Sequence, residues 1–83
     1  MAIKLLYNEV KQIKAEAYED CIMFSKDFAQ KCMEEAIGNF LNTLHILLEY
    51  GAISENVCKT LENMVKVVYV QLFDGEKYWY IGF

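Results

Sequence analysis

The chain has 83 residues, with twelve acids against eight lysines, no arginine and no proline, for a formal net charge of −4. A chain this short folds as one domain, residues 1–83, burying only ~60–65% of the surface its unfolded form exposes. The missing arginine fork and the lack of a basic stripe count against a sequence-reading nucleic-acid binder.

No apolar run approaches the ~20 residues that span a bilayer, and Met1-Ala2-Ile3-Lys4 lacks the regions of a signal peptide. Cys21, Cys32 and Cys58 are an odd number of cysteines without Cys-x-x-Cys spacing, which argues against a disulfide framework. The expectation is a cytoplasmic protein with free thiols and no membrane contact. The apolar and aromatic share of 55% exceeds what so small a core readily hides, and the surplus points to a partner, either a second copy in a homodimer or another protein.

The first predicted helix covers roughly residues 2–20. Ile3, Leu6, Tyr7, Val10, Ile13, Ala17 and Tyr18 recur at three-to-four spacing, with charged residues elsewhere. A break is expected near residues 19–26, where Ser25 followed by Asp27 reads as the cap of a second helix.

That second helix, roughly 26–50, carries Phe28, Cys32, Met33, Ile37, Phe40, Leu41, Leu44, Leu47 and Leu48 on one stripe. Gly51 suits the left-handed position after a helix end. Ile53 suits a hydrophobic staple and Ser54 the next cap, so residues 48–57 read as a tight helix–turn–helix corner. Gly38, alone in a helix, is read as a site of close helix approach or a kink.

Beyond Ser54 two patterns compete. Val57, Leu61, Met64, Val65, Val68 and Leu72 keep a helical period almost to Phe73. Yet residues 65–73 are rich in β-branched and aromatic side chains, Asp74-Gly75 is a favoured hairpin turn, and residues 77–83 have strand preference. The reading adopted is α+β and predominantly helical, with a third helix over 54–66 and a C-terminal β-hairpin of 67–73 and 77–83. The alternative is an all-α fold whose third helix runs to about 73.

No catalytic residue is assigned. His45, the single histidine, lies beside the apolar stripe and reads as a partly buried or boundary residue, because no local signature links it to Cys58 or a carboxylate. The three cysteines and His45 match no zinc-finger or ribbon spacing, so neither a metal site nor another cofactor is expected. Cys32 and Cys58 read instead as small core hydrophobes.

Two features suit protein binding. The segment Tyr78, Trp79, Tyr80, Ile81 and Phe83 is the densest aromatic stretch, of the residue types that dominate binding hot spots. The acids Glu16, Glu19, Asp20, Asp27, Glu34 and Glu35 form a candidate negative binding face, weighed against an ordinary solvated one.

The function expected is a small non-enzymatic inhibitor or regulator that occupies a surface of a larger protein. Analogy with other compact acidic proteins suggests a phage or mobile-element origin and a host-machinery or host-defence target. The alternative is a DNA-associated transcriptional regulator using the corner near Gly51, against which the acidic balance counts.

Overall fold

The computed structural model describes residues 2–73, which form three helices: α1 (Ala2–Met23), α2 (Lys26–Glu49) and α3 (Glu55–Phe73). All three pairs of helices pack together. Among the described residues no helix is long and apolar enough to cross a membrane.

The core follows the helical periods. Leu6, Val10, Ile13 and Ala17 supply it from α1, Met33, Phe40 and Leu44 from α2, and Cys58, Leu61 and Val65 from α3. Leu44, Leu61, Val65 and Cys58 are the largest fully buried side chains. Burying a side chain of leucine or valine size is worth roughly 1.5–3 kcal/mol, so this small set carries much of the fold's stability.

Cross-helix contacts fix the direction of the helices. On α3, Tyr69 meets Gln30 and Glu34, while Glu62 reaches His45. Numbers therefore fall along α3 as they rise along α2, and the two are antiparallel. A shallow pocket likewise joins Leu5, Leu6 and Glu9 to Ala36, Phe40 and Thr43, so α1 runs antiparallel to α2. The end of α3 thus lies at the same pole as the α1–α2 corner.

The α2–α3 corner is closed by local chemistry. Gly51 adopts φ 74°; its N–H donates to the Leu48 carbonyl at 3.1 Å, and the Ala52 N–H donates to the Leu47 carbonyl at 2.9 Å. That pair of bonds is a complete Schellman motif. Ser54 then caps α3, its Oγ accepting from the Val57 N–H at 3.2 Å. Ile53, just before the cap, is buried in the same cluster as Cys58, as a hydrophobic staple requires.

Gly38 has nothing within 4 Å of where a Cβ would stand. It is not a point of close helix approach, and α2 continues through it from Lys26 to Glu49.

The expected α+β architecture is overturned, since residues 67–73 belong to α3 and no strand occurs among the described residues. The second hairpin arm, residues 77–83, lies outside the described residues. The physical reason is the continuity of the α3 stripe: Cys58, Leu61 and Val65 are buried, and Val68, Tyr69, Leu72 and Phe73 pack against the same core. Tyr69 adds a cross-helix tie, its hydroxyl accepting from Gln30 Nε2 at 2.8 Å and donating to Glu34 Oε2 at 2.6 Å. A helix started by a good cap satisfies its own backbone and keeps all these contacts. A two-stranded hairpin is marginal alone.

Candidate interaction surface

The α1–α2 corner differs from the α2–α3 corner. Ser25 takes the extended conformation that ends α1, with φ −159° and ψ 162°, and its Oγ accepts from the Phe28 N–H at 3.0 Å. Glycine is not used here. The residue before the cap is Phe24, which is 65% exposed, whereas Ile53 at the equivalent place in the other corner is 6% exposed. Phe24 packs instead on Phe28, with ring centroids 4.9 Å apart and planes tilted by 50°.

Large apolar side chains gather at this corner. Of nine exposed large hydrophobics among the described residues, five (Tyr18, Ile22, Met23, Phe24 and Phe28) fall between positions 18 and 28. Ile22 is 82% exposed. Single exposed apolar residues are ordinary, but a contiguous group marks an interaction site. Placing Phe28 and Tyr18 on core-facing stripes is therefore corrected: the α1 core stripe stops at Ala17, and on α2 it starts at Ala29.

Carboxylates rim the corner. Glu16 and Glu19 are exposed, Asp20 is half-buried in the last turn of α1, and Asp27 is exposed in the first turn of α2. Asp27 complements the positive end of α2. Asp20 stands at the negative end of α1, where no basic residue offsets it and the helix dipole disfavours it. The remaining two acids behave differently. Glu34 is engaged by Tyr69, and Glu35 is exposed farther along α2. The expected acidic face thus divides into a corner rim and a separate pair.

No protein-family model, curated protein or solved structure matches this chain.

The aromatic segment Tyr78, Trp79, Tyr80, Ile81 and Phe83 lies outside the described residues. Phe73, the last residue of α3, ends at the pole that carries the corner, and its ring packs on Tyr69 at 5.3 Å.

At the opposite pole the fold joins residues that sequence spacing left apart. The Cys58 thiol donates to Glu62 Oε1 at 3.4 Å, and His45 Nε2 lies 3.7 Å from the same oxygen. Cys58 is buried, Glu62 partly buried, and the His45 side chain is 64% exposed, so of the two expectations for the histidine, partly buried or boundary, the partly buried one is corrected. Burial pushes the Cys58 thiol above its ordinary range, with the hydrogen bond and charge of Glu62 and then the charge of Glu55 adding to it. A thiol held protonated is a poor nucleophile, and the thiol and the imidazole face the same carboxylate oxygen.

Along α3, which a helix–turn–helix reader would present to DNA, Lys59 and Lys66 are matched by Glu55 and Glu62. The helix has no net positive charge for phosphate. A groove of about 490 Å³ between α2 and α3 is lined by Ile37, Gly38, Leu41, Tyr69 and Val70, with Glu34 and Lys66 at its edge.

The corner patch was partly visible in the sequence. Cys21-Ile22-Met23-Phe24 is an unbroken apolar run directly before a cap, and consecutive positions at a helix end point in different directions around its axis, so some must face water. Nothing comparable announced Glu62 as the partner of His45.

Proposed function

We propose that the chain is a non-enzymatic protein-binding regulator whose α1–α2 corner inserts into an apolar pocket rimmed by lysine or arginine on a larger protein. The observation that carries this reading is one corner with two departures from ordinary surface chemistry. Five large apolar side chains are exposed there, and an acid sits against the helix dipole beside them. Such local conflicts concentrate at functional sites.

The charge selects the kind of partner. Between positions 16 and 28 there are four acids and one lysine, Lys26. A symmetric dimer through this corner would oppose like charges, whereas a basic rim on another protein complements them. Phe24 and Phe28, already packed ring against ring, would enter as a preformed anchor at low entropy cost.

Photocrosslinking from position 24 in cells of the native source, with position 12 as a control, tests the reading. One partner should crosslink from 24 and not from 12, and its recovery should fall with rising salt. Ile22→Glu should abolish capture while leaving helical content and melting unchanged. Equal capture by the Ile22→Glu protein, or a partner reached only from position 12, would overturn it.

A further inference from the structure

We propose that His45, Cys58 and Glu62 form a site for a zinc-class divalent cation at the α2–α3 corner, with a fourth position open to solvent. Their ligand atoms all lie within 4.8 Å of one another. Two of the three separations are 3.4 Å, between Cys58 Sγ and Glu62 Oε1, and 3.7 Å, between His45 Nε2 and the same oxygen. Around a tetrahedral zinc with ordinary bond lengths to sulfur, nitrogen and oxygen, neighbouring ligand atoms stand about 3.4–3.6 Å apart. The third, between Cys58 and His45, lies within 4.8 Å, so a turn of the exposed imidazole toward the thiol closes the site around an ion.

The elements that hold the ligands make the spacing reproducible. Cys58 and Glu62 stand four residues apart on α3 and so share one face. Antiparallel packing and the corner closed by Gly51 and Ser54 bring His45 of α2 across from them. Two ligands one turn apart on one helix, with a third from its neighbour, is a common way for helices to build a metal centre.

Charge favours the ion. Cys58 is buried with its thiol 3.4 Å from Glu62 Oε1, so without a cation a thiolate there would face a carboxylate. A divalent cation reverses that balance: Cys58 gives its proton to solvent, a sulfur–metal bond forms, and thiolate plus the Glu62 carboxylate cancel the two positive charges. The resulting neutral centre suits a partly buried place. The sulfur, imidazole and carboxylate set fits zinc or cobalt(II) and not magnesium or calcium, which take oxygen ligands. With His45 exposed, the fourth position faces water.

The test uses the full chain with Co²⁺ and Zn²⁺, repeated with Cys21→Ser and Cys32→Ser to remove the other thiols. One equivalent of Co²⁺ should give intense tetrahedral bands and a thiolate-to-cobalt charge-transfer band. Zn²⁺ should displace it and, at 100-fold excess over Kd, raise the melting temperature by about 15 °C. Release of one proton makes apparent affinity rise about tenfold per pH unit below the thiol pKa. Cys58→Ser should lose the charge-transfer band, and His45→Ala and Glu62→Gln should each weaken binding tenfold or more. His45 is exposed, so its variant keeps the fold. Absence of the thiolate band, or unchanged affinity in His45→Ala, overturns the proposal.

Discussion

Phe24 and Ile53 hold the same position, one residue before a serine that caps a helix, yet Ile53 is buried in the core and Phe24 projects into solvent. The two caps are chemically alike, so the difference lies in what each residue is used for. Ile53→Ala should cost about 2–4 kcal/mol in urea unfolding, because it opens a cavity in the shared cluster. Phe24→Ser should stay within about 0.5 kcal/mol of the parent. A large loss for Phe24→Ser would make it a structural staple and remove it from the interaction surface.

The same glycine-to-alanine change should have opposite effects at two places. Gly38 lies in mid-helix with open space around it, so Gly38→Ala should stabilise by about 0.5–1 kcal/mol. Gly51 also has room for a Cβ, but its φ of 74° strains any L side chain, so Gly51→Ala should cost about 1–2 kcal/mol. Chemical denaturation of both proteins, compared by midpoint at constant slope, reads the signs directly.

Tyr69 ties the second half of α3 to α2 through Gln30 and Glu34. Tyr69→Phe keeps the ring and its contact with Phe73 while removing the hydroxyl, and should cost about 1 kcal/mol. Amide hydrogen exchange should accelerate most over residues 66–73. Unchanged protection there would mean that apolar packing alone holds this half of the helix.

The Cys58 thiol gives stability a pH dependence of definite sign. Its folded pKa is raised above the unfolded value, so above the ordinary thiol range, about 8.5, the unfolded chain has lost a proton that the folded chain keeps. The unfolded state then binds fewer protons, and stability falls as pH rises. The contribution is complete below that range and disappears as pH climbs through the folded pKa. Melting temperatures between pH 7 and 10 should drop less steeply for Cys58→Ala than for the parent. Under native conditions maleimide should label Cys21 and Cys32, both partly exposed, and reach buried Cys58 only on unfolding.

The DNA-regulator reading predicts a salt-sensitive shift with duplex DNA. With α3 electrostatically balanced, the expected outcome is no shift even at low ionic strength. Fluorescence anisotropy with a labelled random-sequence duplex measures this, and binding that weakens steeply with added salt would restore the alternative.

Much of the helical body was legible in advance. Ser25, Gly51 and Ser54 act locally, through hydrogen bonds to residues three or four positions away, so their roles as cap, left-handed turn and cap could be read from the chain. Residues 67–73 were misread for the complementary reason. Their β-branched and aromatic content is a weak local preference, and it loses to burial on α1 and α2 and to the bonds of Tyr69 with Gln30 and Glu34, none of which a local pattern contains.

By itself, then, the sequence determined three amphipathic segments and the turns between them, because periodicity and capping depend on near neighbours in the chain. Only the packed structure decided that α3 continues to Phe73, that the apolar run ending at Phe24 is left outside the core, and that His45 meets Cys58 and Glu62. Each of those outcomes depends on which helix faces which and at what height, and that is set by the global competition for buried area.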